Sequence, residues 1–591
     1  MIKKITLLNF QTFNTDILSY DTPFIKKTPD LDKSGGPFLQ MLGGQLPPLP
    51  PLDYATVNKF NFTKGNYNSL NNFFIDGIEK ISCGSLDLNN IWESLVLCIS
   101  NGCELFIPKY NNCNGINKIK KTNNIKLTSD VHKLINEKNK AWHKYMRTKN
   151  VVWLNEFKRL RNVAKKKIRE EKEIFYLKLA NSINTNPKLF WKHVNSKRKV
   201  KESIPDLKGV NIDGSVRWVN DNVGKANVLG KYFSSVYSTS NDECSYKPAI
   251  NYKYPIYERM NDIEISEHLI ICKLEKLNVY KSAGPDGVFP KILRECANSL
   301  GKFLYIIFSK SMVGKILPIE WKLSVIVAVY KKGDRHLPLN YRPISLTCAA
   351  CKVLESIIKD SLVEHFNNNN LFHINQYGLM KGRSTSLQLL KLMDIWSEAV
   401  DDGNEIDVLY TDFEKAFDKV NHRKLLMKLN MYGVNNNVIE WIGEYLKNRK
   451  FQVRVNGEMS ELFDVRSGVP QGSVLGPVLF VIYVNDIFEL WDGAIDMYLY
   501  ADDAKIFTVV KSIDDQYLFQ QCMNKLIIWC DTWDIKLNID KYNVIQYNFK
   551  GFEFEYKIGN CNLLKVDNIN DLGVVFEDNF KFSMHIIKKV S

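Results

Sequence analysis

Two adjacent acids interrupt an apolar stretch near residue 500, and this feature constrains the fold most. Asp502 and Asp503 stand between residues 498–500 and 506–509, which are rich in aromatic and β-branched side chains. Such runs predict two short strands of a hairpin with the acids at its tip. Two carboxylates side by side cost free energy unless solvent or a cation neutralises them. A divalent cation is the natural partner, although an isolated acid pair is more often only a polar turn.

A third acid and a glycine-rich loop support the cation. Asp412 ends the strand-like run at residues 408–410, so the chain offers two strand-end carboxylate sites. Between them, residues 467–477 form a Gly/Pro-rich loop that leads into an apolar segment. Loops of this kind let the backbone approach a ligand closely.

These three segments resemble the palm motifs of reverse transcriptases in their order and approximate spacing. They are Asp412 in Asp-Phe-x-Lys-Ala-Phe-Asp, Gly-Val-Pro-Gln-Gly-Ser at 468–473, and Tyr-Ala-Asp-Asp at 500–503. Flanking segments resemble the enzymes of non-long-terminal-repeat (LINE-type, jockey-like) retrotransposons, from about residue 58 onward. The resemblance implies an α+β right-hand polymerase fold, with palm and fingers and an N-terminal basic helical region.

The resemblance also implies a catalytic metal site formed by Asp412, Asp502 and Asp503. Asp412 and Asp502 are the expected ligands of two Mg²⁺ ions, with Asp503 as a weaker or outer partner and the Phe413 carbonyl as a further ligand. Carboxylate ligands and retained water suit Mg²⁺, with Mn²⁺ as the alternative ion.

The resemblance also implies substrate contacts for six further residues. For Lys331, Arg342, Phe417 and Lys541, a solvated or core side chain is the simpler interpretation. Lys331 and Arg342 in the fingers would bind the triphosphate. The Phe417 ring would lie beneath the sugar, and Gln471 and Gly472 would contact nucleotide and template. Lys541 would protonate the pyrophosphate. Asp418 is expected to cap the following helix rather than to bind metal.

The positive charge is concentrated in one segment. The formal net charge is +15, and residues 132–201 contain 21 Lys/Arg against five Asp/Glu. Such a segment indicates a polyanionic partner, most often nucleic acid, although a solvated helical surface is the alternative. Apolar positions at helical spacing predict two or more helices here. The expected RNA-binding residues are Lys165, Lys166, Lys167 and Arg169.

The chain is expected to divide into six segments. An N-terminal Pro/Gly-containing segment comes first, then a connector that would follow a missing endonuclease domain, a basic helical RNA-binding region, fingers, a palm with a primer-grip hairpin, and the start of a truncated thumb. Their bounds are 1–56, 57–128, 129–240, 263–400, 401–580 and 581–591.

Cysteine usage and hydropathy bear on the compartment. The 12 cysteines show no disulfide-framework spacing and no signal peptide opens the chain, which indicates an intracellular protein, cytoplasmic or nuclear or both. No run approaches the roughly 20 apolar residues that a bilayer span requires. Neither a membrane association nor secretion is therefore expected, and the oligomeric state stays open.

The resulting functional prediction is an RNA-directed DNA polymerase acting on an RNA template, a DNA primer or target DNA, and dNTPs. An RNA-dependent RNA polymerase is a rival, which residues 500–501 and Phe417 disfavour. The rival from another class is a truncated, catalytically inactive copy that only binds RNA.

Overall fold

The computed structural model describes residues 60–79, 87–109, 127–181, 193, 204–210, 215–238 and 258–590, without residues 492, 494, 539, 540, 552 and 560. The predicted N-terminal segment 1–56 lies outside these residues.

The described residues contain both helices and strands, as the α+β prediction requires. The helices, in chain order, are α1 Tyr67–Glu79, α2 Leu88–Phe106, α3 Ser129–Thr148, α4 Val151–Asn181, α5 Asn222–Ser235, α6 Glu267–Glu275, α7 Pro290–Glu295, α8 Ala297–Gly314, α9 Ala349–Asn368, α10 Thr385–Asp401, α11 Ala416–Lys419, α12 His422–Met431, α13 Asn436–Leu446, α14 Gly476–Val484, α15 Ile513–Thr532 and α16 Ser583–Val590. The strands are β1 Leu207–Val210, β2 Val216–Val219, β3 Leu323–Tyr330, β4 Tyr341–Leu346, β5 Glu405–Asp412, β6 Arg449–Val455, β7 Glu458–Met459, β8 Phe463–Val465, β9 Ile495–Tyr500, β10 Asp503–Val510, β11 Asn543–Tyr547, β12 Lys557–Ile558, β13 Cys561–Asn562, β14 Leu564–Lys565, β15 Asn568–Asp571 and β16 Val574–Glu577.

The first five-stranded sheet has the order β14-β11-β5-β10-β9. Its central strand, β5, is buried along its whole length because both faces of the sheet are covered. Val408 and Phe507 pack with Trp396 of α10 on one face, whereas Leu409 and Ile506 join the main core on the other. Burial of side chains on both faces of β5 and β10 therefore holds the strands in one register.

The second sheet has the order β4-β3-β6-β7, with β8 also paired to β6. Strands β3 and β4 form an antiparallel hairpin, and β6 adds to β3 in parallel, with Val327 opposite Arg454. Helix α5 crosses this sheet so closely that a Cβ on Gly230 would lie 2.2 Å from the Phe463 ring. Residues on both sides of the predicted boundary at 400 thus share one sheet, and the domain bounds remain predictions.

A buried turn ties the segment before α7 to the end of β4. Asp286 accepts the Val288 N–H at 3.2 Å and the Cys348 thiol at 2.7 Å. Burial raises the pKa of the Asp286 carboxyl to about 6. Gly284 lies so close that a Cβ there would meet backbone atoms of Thr347 and Cys348 at 2.7 Å. The Gly-Pro-Asp-Gly turn therefore serves packing.

The predicted basic helices form a hairpin. Helices α3 and α4 are joined through Lys149, which has a left-handed φ of 53°. The ring centroids of Trp142 and Phe157 lie 4.9 Å apart across the hairpin.

No helix within the described ranges is long and apolar enough to cross a bilayer.

Candidate active site

Strand register brings the three acids together. Asp412, the last residue of β5, is the direct cross-strand partner of Asp503, the first residue of β10. Asp503 also pairs with Tyr500 of β9, so Ala501 and Asp502 form a two-residue turn between β9 and β10. The Phe413 N–H donates to the Asp502 carbonyl at 3.3 Å and fixes the end of β5 against this turn.

The turn contains an unfavourable backbone conformation. Ala501 has a φ of 58°, in the left-handed region, and Asp502 is not among the positive-φ residues of the described chain. Two-residue hairpin turns of this kind usually have glycine at the first position. A non-glycine residue there costs about 1–2 kcal/mol. Contacts from outside the turn must therefore hold it.

The carboxylates repel one another in a partly desolvated site. Burial and then the negative charge of Asp412 raise the pKa of Asp502. Burial, followed by the charges of Asp502 and Asp412, raises the pKa of Asp503 to about 6. This is the electrostatic pattern of a site that a cation stabilises.

Asp412 has one oxygen in use and one without a partner. Its Oδ2 forms an ion pair with the ammonium of Lys541. Its Oδ1 is buried and has no hydrogen-bond partner among the described residues. Across all the residues that the structure describes, no three His, Cys, Asp or Glu side chains lie close enough together to enclose a metal ion. The donor set still fits a hard cation, because the unpartnered oxygen belongs to a carboxylate beside two others.

The glycine-rich loop packs tightly between the second sheet and the segment after Asp412. The Gln471 carbonyl accepts the Ser345 N–H of β4 at 2.8 Å. Gly472 has a φ of 118°, and a Cβ there would lie 2.5 Å from the Ser345 carbonyl oxygen. The Gln471 side chain donates to both carboxylate oxygens of Asp418 at 2.9 Å. The loop thus joins the second sheet to the segment after Asp412.

Phe417 lies on a buried aromatic base. Its ring stacks on Phe480 of α14 with centroids 4.4 Å apart, and it remains partly exposed. The Phe417 carbonyl accepts the Val469 N–H at 2.7 Å. The geometry is therefore compatible with both expectations, a core ring and a ring presented to a ligand.

The predicted fingers cations are exposed and lie within electrostatic reach of the acids. Partial burial, followed by the positive charges of Arg342 and Lys541, lowers the pKa of Lys331. Arg342 and Lys541 also oppose the rise in the Asp502 pKa. Three cations and three carboxylates therefore face the same region.

The four predicted RNA-binding side chains occupy the exposed side of α4. Lys165, Lys166 and Lys167 are exposed, and Arg169 forms an ion pair with Glu173 at 3.1 Å. Their exposure fits either nucleic-acid binding or a solvated helix.

The prediction that Asp418 caps the following helix is wrong. The side chain of Asn421 caps α12 instead, accepting the Lys424 N–H at 3.1 Å. Asn421 directly precedes α12, so its side chain reaches the first turn of that helix. Asp418 lies three positions earlier, inside α11, and accepts a hydrogen bond from Gln471. Burial raises the pKa of Asp418 to about 6.

Sequence reasoning missed the polar groups that support the β9–β10 hairpin. Lys505 of β10 is buried and pairs with Asp571 of β15 at 2.9 Å. It also donates to Gln388 of α10 at 2.8 Å. A lysine within an otherwise apolar strand was the available signal, because a buried ammonium requires a partner.

Removing the charge of Asp503 should stabilise the fold. Because its pKa in the folded state is raised to about 6, the ionised group opposes folding at neutral pH, whereas the protonated group at pH 4 does not. We expect Asp503→Asn to raise the unfolding free energy at pH 7 without metal by about 1 kcal/mol, a value reduced for solvent exposure. Thermal unfolding at pH 7 and pH 4 measures this. An equal gain at both pH values would contradict it.

Comparison with known proteins agrees with this arrangement. Residues 329–576 match the family described as "Reverse transcriptase (RNA-dependent DNA polymerase)". Among solved structures, apo telomerase from Candida Tropicalis aligns over 49% of this chain and 67% of its own. That alignment has 12% identity and a TM-score of 0.33, too low to support the fold by itself.

Three curated relatives come from Drosophila melanogaster. The probable RNA-directed DNA polymerase from transposon BS is 28% identical over 46% of this chain and 31% of its own. The RNA-directed DNA polymerase from mobile element jockey is 25% identical over 53% and 35%. The probable enzyme from transposon X-element is 24% identical over 64% and 42%.

The matched part of the chain thus spans between 31% and 42% of these relatives' length. The family match covers all strands of the first sheet, the strands of the second sheet other than most of β3, and all three acids. Residues 329–576 therefore match the reverse transcriptase family, and the chain is similar to polymerases of non-LTR retrotransposons.

Proposed function

We propose that this chain is an RNA-directed DNA polymerase of a non-LTR retrotransposon, which extends a DNA primer on an RNA template. The observation that carries the proposal is the pairing of Asp412 with Asp503 beside the Asp502 turn. Reverse transcriptases generally use divalent metal ions, an RNA template and a DNA primer. The reaction is an in-line attack of the primer 3′-hydroxyl on the α-phosphate of a dNTP, and pyrophosphate leaves.

Asp412 and Asp502 would hold two Mg²⁺ ions, with Asp503 as an outer partner and the Phe413 carbonyl as a further ligand. Bound there, the ions would supply positive charge to the attacking and leaving oxygens. Mn²⁺ accepts the same oxygen donors. Burial and then the charges of neighbouring acids raise the pKa values of Asp502 and Asp503, and a bound cation would offset both costs of ionising them.

Lys541 can play two successive roles. In the absence of a metal its ammonium neutralises Asp412 Oδ2. A divalent cation on that oxygen would displace the ammonium, because both compete for the same lone pair. The displaced Lys541 is then a proton donor for the leaving pyrophosphate.

The residues around the acids suit the remaining parts of a dNTP. Lys331 and Arg342 carry positive charge toward the acids and would bind the triphosphate, arginine bidentately and lysine as a point charge. The partly exposed ring of Phe417, supported by Phe480, would lie beneath the sugar and exclude a 2′-hydroxyl. The Gln471–Gly472 backbone, drawn against β4, would contact nucleotide and template.

The basic hairpin would hold RNA. Lys165, Lys166, Lys167 and Arg169 lie on exposed turns of α4. Phosphate contacts from such residues give affinity without sequence preference. The same hairpin would persist in a catalytically inactive copy, so polymerisation must be measured directly.

The first test is incorporation of dTTP on poly(rA)/oligo(dT) with Mg²⁺. We expect the chain to incorporate dTTP and Asp502→Asn to lose at least about 100-fold in rate, because charge stabilisation by such groups is worth several kcal/mol. Asp496→Asn is the matched control, because Asp496 lies at the opposite end of the same hairpin. It should keep normal incorporation.

Three outcomes would contradict the proposed polymerase. Equal losses in Asp502→Asn and Asp496→Asn would show that the catalytic ligand is elsewhere. No incorporation by any form, with RNA still bound, would leave an RNA-binding protein. Preference for UTP over dTTP would instead indicate an RNA polymerase.

Phe417 can be tested as the sugar gate by the substitution Phe417→Val. A smaller side chain makes room for a 2′-hydroxyl, so we expect the ratio of UTP to dTTP incorporation to rise by about tenfold or more, roughly 1.4 kcal/mol of lost discrimination. The ratio is internally controlled, because loss of stacking on Phe480 lowers both rates together. An unchanged ratio would assign Phe417 to the core alone.

The basic hairpin can be tested through salt dependence. Replacing Lys165, Lys166 and Lys167 by Gln should weaken RNA binding and reduce the slope of log K against log salt by about 2, since each lost phosphate contact contributes about 0.7. Fluorescence anisotropy with single-stranded RNA at several salt concentrations measures this slope. An unchanged slope would identify these lysines as a solvated surface.

A further inference from the structure

Residues 373–383 form the segment that precedes α10. This segment lies against the turn formed by Ala501 and Asp502. Gln376 is fully buried, and its Oε1 accepts the Gly378 N–H at 2.9 Å and the Ala501 N–H at 3.3 Å. Its Nε2 has no partner among the described residues. Only the acceptor side of this amide is therefore used.

The backbone of the same segment is hydrogen-bonded to the edge of the first sheet. Strand β9 is the edge strand, and next to the turn it pairs with residues 375–377. The Tyr377 N–H donates to the Leu499 carbonyl at 2.8 Å, and the Leu499 N–H donates to the Asn375 carbonyl at 3.1 Å. These bonds fix the segment immediately before Ala501.

Gly378 makes the closest backbone approach to the turn. A Cβ on Gly378 would lie 2.0 Å from the Ala501 nitrogen, a distance that no real Cβ contact reaches. Its φ is outside the positive range, unlike that of Gly382. Glycine is therefore needed at 378 for space and not for backbone conformation.

Arg383 holds the segment in this shape. Its Nη1 donates to the carbonyl oxygens of His373, Ile374 and Gln376. Its guanidinium also lies 5.4 Å from the centre of the Tyr377 ring. Because one charged group draws three carbonyls together, the loop can present Gln376 at a fixed position.

From these contacts we infer that Gln376, Gly378 and Arg383 are positioning residues that hold the Ala501–Asp502 turn in its left-handed conformation and so orient Asp502 for catalysis. The inference rests on the proposed polymerase function for its catalytic consequence. The Ala501 φ of 58° needs support from outside the turn, and Gln376 supplies a hydrogen bond to the Ala501 N–H. None of the three residues needs to touch substrate.

Gln376→Met tests the bracing without creating a cavity, because methionine has nearly the same length and no acceptor. Gln516→Met is the matched control. Gln516 is equally buried, but its amide donates to Asp407 at 3.1 Å, five residues before Asp412 on β5. Both changes should lower the melting temperature similarly.

Two readouts separate bracing from general stability. In amide hydrogen exchange, the peptide containing Ala501 should exchange faster in Gln376→Met than in wild type and Gln516→Met. In poly(rA)/oligo(dT) assays, kcat for dTTP should fall about 10- to 100-fold in Gln376→Met with KM within about twofold, as expected for a misoriented catalytic group. Gln516→Met should keep kcat at equal folded fraction.

Gly378→Ala supplies an independent variant, with Gly382→Ala as its control. Gly382 has a φ of 80° with nothing within 4 Å of a built Cβ, so its substitution strains the loop without pressing on the turn. Only Gly378→Ala should speed exchange at Ala501 and lower kcat.

Unchanged exchange at Ala501 in both Gln376→Met and Gly378→Ala would overturn the inference, whether or not the chain polymerises. Faster exchange with a wild-type kcat would overturn its catalytic part. Failure of wild type to incorporate dTTP would reject the proposed function, and the exchange result would still decide the bracing.

Discussion

The placement of Asp412 opposite Asp503 on neighbouring strands is the constraint on which the rest of this structure depends. Three carboxylates lie at one end of the first sheet, and burial together with the charges of neighbouring acids raises the pKa values of Asp502 and Asp503. The covered faces of β5 and β10 fix the register by apolar packing and thereby hold the acids together. Lysine and arginine side chains from elsewhere in the chain then offset part of the negative charge. In this sheet, the apolar packing of the strands therefore also determines the positions of the acids.

The fold class and much of the palm could be predicted from the sequence because their signals are local. The alternating strands around Asp502, the apolar run before Asp412 and the Gly/Pro-rich loop each occupy about ten residues. Periodicity and turn chemistry determine such elements nearly independently of the remaining chain. The α+β architecture and the family relationship were confirmed. The individual roles of the site residues stay predictions.

Interactions between distant segments could not be predicted. Gln376 accepts from Ala501, Lys505 pairs with Asp571, and Gln471 binds Asp418. Each depends on where two separate elements meet in space, which no local pattern specifies. The incorrect cap assigned to Asp418 has a local origin instead, because Asn421 was an equally suitable capping residue three positions further on. Side-chain hydrogen bonds between distant elements therefore cannot be predicted from local sequence patterns.

The parallel pairing of β6 with β3 has a consequence for how the chain acquires its structure. Residues 323–327 find their partners only at residues 450–454, after most of β5 and its following helices have been synthesised. During synthesis, β3 can pair with β4 on one side, but its other edge stays unpaired until β6 has been made. High contact order of this kind slows folding. The fingers and palm are consequently expected to mature as one cooperative unit and not in sequence.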